Sequence, residues 1–311
     1  MATEKWREEY LRLLFESDNS DETRTKAADL KFDHMPDRLY KYRGFNEGHI
    51  SALEDGVLYA APLDSLNDIR ESNLVISEKA EELFNQRQYE SLREQYGFPP
   101  AEIHHQADII KAIEEYYRTI SLQHRGTKRM PPDMLVEIQR ITEKQYQALM
   151  ERYRNGIRTT YSACCFSAFN NIFKMWGYYA DCYNGFCIEY DFKSLGRDDL
   201  KTALLFPVIY VDDSRVMIDD IDHYDPNKGL LAATQKNREW EYEEEWRLLY
   251  TEDQAKKPQL MPKPTAIYIG DRTVLEHTQK MREYCVTAQI PLYRMKYNQR
   301  KDVLEPIPIE L

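Results

Sequence analysis

Between Tyr161 and Phe192 the apolar and polar positions change period twice. Tyr161 to Ser167 is an apolar run of strand length that ends on a hydroxyl. Ile172, Trp176, Tyr179 and Tyr183 then recur at helical spacing, which predicts a helix with one buried aromatic face. Asn170 and Asn171 are suitable N-caps for it, and Asn184-Gly185 supplies the left-handed stop that a helix end commonly needs. Phe186, Ile188, Tyr190 and Phe192 alternate with Cys187, Glu189 and Asp191, the period of a half-buried strand. This strand, helix and strand are the predicted centre of the fold.

Other stretches arrange themselves around that centre. Glu4 to Phe15 reads as a short helix with Trp6, Tyr10, Leu13 and Leu14 on one side, and Ser17 to Thr25 as a polar linker. Leu39 to Arg43 is a strand, Asn46 caps a helix through Leu53, Gly56 stops it, and Val57 to Ala61 is a second strand closed by Pro62. Ser72 to Arg154 is charged and helical in pattern, with breaks at Gly97-Phe98-Pro99-Pro100 and Met130-Pro131-Pro132. It reads as a helical insertion that returns to the sheet at Arg158. Strands are expected at Leu204 to Val211, Trp246 to Tyr250, Thr265 to Ile269 and, last, Pro291 to Tyr297. Helices are expected at Lys228 to Trp240 and Thr273 to Thr287, and Asp212 to Asp225 is expected to be a solvated acidic loop. The fold class is therefore α+β, with a mixed, mostly antiparallel sheet core. Residues 1–30 form an N-terminal helix and linker, 31–311 a single domain, and 72–154 its helical insertion.

Composition narrows the function classes. The 311 residues carry a net charge of -11, which disfavours broad binding to nucleic-acid backbones. The five cysteines lack a CxxC pair or zinc-type spacing, so free buried thiols in a reducing compartment are expected. His104, His105 and His124 lack partners at ligand spacing and read as surface or helix-packing residues, so no metal is assigned to them. The amino terminus lacks a signal-peptide core, and no apolar run approaches membrane-spanning length. A cytoplasmic protein without a membrane partner is expected. The helical insertion is a surface on which a protein partner could dock.

The chemistry concentrates in WEYEEEWRLLY. If Glu243 to Tyr250 is extended, Glu243, Glu245 and Arg247 share one face, and Trp246, Leu248 and Tyr250 share the other. Two carboxylates that close are costly unless solvated or paired, so this is either a surface edge or a site. Arg43 ends a strand before a glycine, where a guanidinium suits a phosphate or a carboxylate and equally a salt bridge to one of those glutamates. Asn67-Asp68 is ordinary turn chemistry, and Ser167 can simply cap the helix after it.

Taken together, LYKYR (Leu39 to Arg43), the loop Leu66 to Glu71, CFS (Cys165 to Ser167), MWGYYA (Met175 to Ala180), GFCIEYD (Gly185 to Asp191) and WEYEEEWR (Trp240 to Arg247) resemble the bacterial domain-of-unknown-function family 2971. In the loop, Leu66 and Ile69 stand where that family has Phe and Pro, while Asn67, Asp68 and Glu71 match. The order of Arg, Ser and Glu-x-Glu is also similar to the layout of ADP-ribosyltransferases. That second resemblance implies a split-sheet fold and an enzyme that cleaves NAD at the nicotinamide-ribose bond and transfers ADP-ribose to an unknown acceptor, in a bacterial toxin or phage-defence setting. By it, Arg43 would hold the NAD phosphate, Ser167 would steady the nicotinamide ribose, Glu245 would be the catalytic carboxylate and Glu243 would orient the acceptor. Tyr42 or Tyr178 would lie against the nicotinamide, because flat rings favour aromatic walls. Two other classes stay open: a phosphodiesterase or nuclease with Asp68, Glu71, Glu243 and Glu245 around magnesium, and a non-catalytic interaction module.

Overall fold

Alternation in short β-branched and aromatic runs, interrupted by Gly, Pro and Asn, yields many short strands. The computed structural model describes residues 2–16, 20–124, 126, 131, 133–223 and 225–311. In chain order its strands are β1 (Leu39–Arg43), β2 (Val57–Leu58), β3 (Ala61–Pro62), β4 (Leu74–Ile76) and β5 (Ser162–Ser167). There follow β6 (Phe186–Tyr190), β7 (Leu205–Pro207), β8 (Ile209–Val211), β9 (Val216–Ile218) and β10 (Gln235–Asn237). The last are β11 (Glu245–Tyr250), β12 (Gln259–Leu260), β13 (Ala266–Ile269), β14 (Leu292–Asn298) and β15 (Val303–Ile309).

The chain divides into two compact units. One takes Met1–Glu71, Arg158–Ser214 and Ala233–Leu311; the other takes Ser72–Ile157 and Arg215–Ala232. The first unit is built on a sheet in the order β15-β14-β13-β6-β1-β5-β11-β7, with β3 paired to β5 off that path. Only β13 and β14 run parallel in it. The mixed, mostly antiparallel α+β architecture follows.

Cross-strand partners share a face, so register assigns each side chain to one side of this sheet. Tyr40 lies opposite Ser167, and Ser167 lies opposite Glu245. Tyr40, Tyr42, Cys165, Ser167, Glu245 and Arg247 therefore belong to one face. The other face carries Leu39, Cys164, Phe166, Phe186, Ile188, Trp246 and Leu248, which pack into the main apolar core. Trp6 and Tyr10 of the helix Ala2–Leu11 join that core, so the N-terminal helix docks on the sheet. The first face has its own cluster around Tyr42, Trp176, Ala180, Cys187 and Tyr268.

One irregularity makes room for a site. β1 and β5 share a single bridge, at Tyr40 and Ser167, and β5 meets β3 instead at Ala163 and Ser162. The edge of β5 between those contacts, Cys164 to Phe166, has no strand partner on that side. A cleft opens there.

Several expectations change. The segment read as a linker is mostly the helix Asp21–His34, N-capped by Ser20, whose hydroxyl accepts from the Thr23 amide; Ser17 to Asn19 lie outside the described residues. The central helix covers only Phe173–Tyr178, with Ile172 rather than an asparagine at its N-cap. It ends in left-handed Asp181, Cys182 and Tyr183, not at Gly185. Gly185 serves close approach instead: a Cβ there would lie 2.2 Å from the Arg43 carbonyl oxygen. Leu204 to Val211 splits into β7 and β8, which pair with different strands because Pro207 interrupts the run. The predicted helix to Trp240 stops at Thr234, and β10 follows it. β15 is a further strand after the expected last one; Pro306 and Pro308 hid it, and it tolerates them at the sheet edge.

The second unit is largely helical. Glu78–Tyr96 and Gln106–Gln123, with most of Met134–Thr160, bury Tyr89, Leu92, Phe98, Ile109, Ile113 and Ile138 together. Gly97, left-handed at φ 76, ends the first of these helices. A short parallel pair, β4 with β9, belongs to the same unit. β9 lies within the segment expected to be an acidic loop, and Met130 and Pro132 of the predicted break lie outside the described residues. Among the described residues no helix is long and apolar enough to cross a membrane.

Candidate functional site

The turn before β11 decides what the acidic motif can do. Arg238–Glu243 is a 3-10 helix, not a strand, and Glu244 takes the left-handed region at φ 41. Glu243 and Glu245 therefore do not alternate along one strand, yet the turn still brings both carboxylates to the same ammonium. Lys236 Nζ donates to Glu243 Oε2 at 2.7 Å and to Glu245 Oε2 at 3.0 Å, and lies 3.3 Å from Glu71 Oε1. Arg247 closes the group. Its Nε and Nη2 reach Glu245 at 2.9 and 3.1 Å, Nη2 reaches Glu71 Oε2 at 2.6 Å, and Nη1 donates to the Ala233 carbonyl. All five side chains are buried. Three carboxylates against two cations leave this group one negative charge in excess when all are ionised.

The surrounding hydrogen bonds fix the turn. Ser167 Oγ donates to the Glu243 carbonyl at 2.7 Å and accepts from the Phe169 amide. The Glu245 amide donates to Tyr210 Oη at 2.8 Å, and Arg7 Nη2 donates to Glu244 Oε2 at 2.9 Å from the N-terminal helix. Tyr179 Oη donates to Glu243 Oε1 at 2.6 Å.

These contacts push the two motif carboxylates apart. Burial raises the Glu243 carboxyl above the usual range, and the neighbouring Glu245 charge adds to it, while Lys236 and Tyr179 pull the other way. Burial also opposes ionisation of Glu245, but Arg247 and then Lys236 overcome it and hold that carboxyl well below the usual range. Burial would lower the Lys236 ammonium, yet Glu245, Glu71 and Glu243 outweigh it and keep the lysine charged.

The cleft beside this group has a volume of about 220 Å³. Besides Glu71, Lys236, Glu243 and Glu245 it is lined by Tyr40, Lys41, Tyr42, Arg43, Tyr59, Asn67, Cys165, Ser167 and Tyr179. Typical pockets for drug-sized ligands measure roughly 300–1,000 Å³, so this one encloses a small ligand or one end of a larger one.

The structure sorts the residues singled out by sequence. Glu243, Glu245, Ser167, Tyr42 and Arg43 all line the cleft, and their contacts differ. Arg43 pairs in register with Phe186 of the opposite face, so it approaches from the other side of the sheet, through the gap between β1 and β5. Glu245 spends both oxygens on Arg247 and Lys236, and Ser167 holds the turn. Tyr42 is buried edge-on to Trp176, its hydroxyl donating to the Phe169 carbonyl. Tyr178 is exposed and absent from the lining. Asp68 is bound to the Arg70 amide and guanidinium instead of joining the other carboxylates. The space between Glu71, Glu243 and Glu245, where magnesium would sit, holds the Lys236 ammonium. Among the described residues no group of three or more histidine, cysteine or acidic side chains has the geometry of a metal site.

Lys236 and Tyr179 are the partners that sequence reasoning missed. Lys236 stands in a stretch whose pattern reads as helix, so nothing local marks it. Tyr179 was visible only as one ring of an aromatic stripe.

Residues 175–248, which hold the last four residues of the helix Phe173–Tyr178, β6 and the whole carboxylate turn, match the family model described as "Protein of unknown function (DUF2971)". The match spans about a quarter of the 311-residue chain, so over that segment the chain is similar to the family. No curated protein and no solved structure matches it. The matched segment supplies Tyr179, Lys236, Glu243, Glu245 and Arg247, while Glu71, Lys41 and Arg43 come from strands and loops before it.

Proposed function

We propose that the cleft cleaves the N-glycosidic bond of a nucleotide, with NAD the candidate substrate, and that Glu243 rather than Glu245 is the reacting carboxylate. The observation that carries this reading is the buried group at the wall of the cleft, in which Arg247 and Lys236 engage Glu245 while, among the described residues, the Glu243 carboxylate is bonded only to Lys236 and the Tyr179 hydroxyl. As the bond between ribose and nicotinamide breaks, the bonding pair leaves with nicotinamide and positive charge develops on the ribose. The excess negative charge of the five-residue group, fixed in place by Arg247, favours that state over the ground state. Ionised Glu243 then takes the proton of the attacking water or acceptor hydroxyl, and its raised basicity suits it to that transfer. Tyr179, bonded to the other oxygen, holds the carboxylate in orientation. The balance is NAD and an acceptor hydroxyl to ADP-ribosyl acceptor, nicotinamide and a proton. Within this reading the protein works in the cytoplasm, and the small cleft receives the nicotinamide-ribose end of the dinucleotide.

The test is release of nicotinamide from NAD by the full chain in the presence of a chelator, measured by chromatography. Glu243→Gln is expected to lower the rate by about two orders of magnitude or more while the fold is retained. A wild-type rate no higher than the buffer blank, or an undiminished rate in Glu243→Gln, overturns the proposal.

A further inference from the structure

Lys41 and Arg43 form the cationic end of the same cleft, and among the described residues no carboxylate is hydrogen-bonded to or ion-paired with either; Glu245 acts on Lys41 only at a distance. β1 carries both on the face opposite Glu245, and both line the cleft where β1 parts from β5. Lys41 is 9% exposed, and its ammonium makes one hydrogen bond, at 2.6 Å to the Cys165 carbonyl that the missing strand contact leaves free. An ammonium has three donors, so two remain. Among the described residues the Arg43 guanidinium has neither a hydrogen-bond nor an ion-pair partner. A buried ammonium beside a half-buried guanidinium two residues along the same strand is costly, and elsewhere in this unit buried cations are compensated: Lys236 and Arg247 by glutamates, Lys31 by two carbonyls.

We infer that Lys41 and Arg43 are an oxyanion subsite that takes a phosphate or diphosphate group of the ligand. The inference deepens the proposed nucleotide chemistry and rests on it for the identity of the ligand, though not for the existence of the subsite. A planar guanidinium suits two oxygens of one such group, and the ammonium a third. The distance between this pair and Glu243 then decides which bond of a phosphorylated ligand comes to the carboxylate.

Binding should be linked to a proton. The groups facing Lys41 are Arg43 on its own strand, Cys164 and Cys165 on β5, Glu245 on β11, Cys187 on β6 and His49 of the helix Glu47–Glu54. Burial, then the Arg43 charge, brings the Lys41 ammonium down to about 8. An oxyanion on the pair restores the charged form, so affinity falls as pH rises above about 8.

Sulfate is the probe, because its charge is constant over this range, with ionic strength held by chloride. The full chain is titrated with sulfate calorimetrically at pH 7 and pH 9.5. Wild type is expected to bind about thirtyfold more weakly at the higher pH, the fraction of competent lysine there. Lys41→Met is expected to lose most binding at pH 7. If that variant does not fold, Lys41→Arg decides: it should bind at both pH values with little difference between them. Glu243→Gln should bind sulfate as wild type does, so lost turnover with retained binding separates this subsite from the catalytic reading. Inorganic diphosphate and ADP-ribose are the further probes. Tighter binding of ADP-ribose assigns the anion to a nucleotide, and equal binding assigns it to a free phosphate. No sulfate binding by wild type, binding unchanged in Lys41→Met, or a Lys41→Arg affinity that falls with pH as wild type does, overturns the inference.

Discussion

Replacing Lys236 with methionine keeps most of the apolar stem and removes the charge that three carboxylates share. Arg247 still reaches Glu71 and Glu245, but it makes no bond to Glu243, which keeps only the Tyr179 hydroxyl. Removing one partner from a buried, hydrogen-bonded ion group costs about 3–5 kcal/mol. That corresponds to a fall in Tm of about 10 °C for a chain of this size class. The sign with pH separates this cause from lost packing. In wild type, Glu245 has a depressed folded pKa, so its contribution is complete above the ordinary carboxylate pKa near 4.5 and is lost only below it. Between pH 5 and 8 that contribution is constant. In the variant, Glu243 rises further and takes up a proton as pH falls, so the penalty should shrink from pH 8 to pH 5. Urea denaturation followed by tryptophan fluorescence at both pH values measures it. A penalty below about 1 kcal/mol, or one equal at the two pH values, refutes the reasoning. The double variant Lys236→Met, Glu243→Gln should recover at least about 1 kcal/mol relative to additivity, since the two groups touch.

Trp176 is fully buried and its indole N–H donates to the Asn170 carbonyl at 2.7 Å; Trp176→Ala should cost about 3–5 kcal/mol in chemical denaturation, and a wild-type curve would remove it from the core. Gly185→Ala places a Cβ 2.8 Å from the Ala180 backbone as well as against Arg43, and overpacking against backbone should cost about 1–3 kcal/mol or more; an unchanged Tm would contradict the close approach. Arg7→Met removes the buried charge that binds Glu244 in its left-handed turn. It should lower stability by about 1.5–3 kcal/mol, and a thermal melt like that of wild type would show that the N-terminal helix does not support the turn.

The strands that carry strong alternation were legible. LYKYR, CFS, FCIEY and EWRLLY form β1, β5, β6 and β11 within a residue or two of expectation, because each has one wholly apolar face. Elements of two or three residues, such as β3 and β10, were not, since their stability comes from neighbours far along the chain. The convergence of Glu243, Glu245 and Arg247 was readable from spacing, although the reason given for it, a continuous strand, differs from the left-handed turn at Glu244. What sequence could not supply was compensation. Lys236 reaches these glutamates only because β10 pairs with β8, and the gap that admits Lys41 and Arg43 depends on β5 changing partner from β1 to β3. The five thiols were expected to be free and buried; all are free, but only Cys164, Cys187 and Cys285 are buried, and Cys182 is exposed in a left-handed turn that helical spacing had hidden.

The central claim is that folding separates two carboxyls of one motif. Carbon-13 NMR of the chain with labelled glutamate carboxyls, assigned with Glu243→Gln and Glu245→Gln, tests it residue by residue. The account predicts that the resonance lost in Glu243→Gln titrates above the ordinary value of 4.5, while the resonance lost in Glu245→Gln stays ionised to the acid limit of the folded state. Both resonances titrating together near 4.5, or Glu245 taking up its proton first as pH falls, would contradict it.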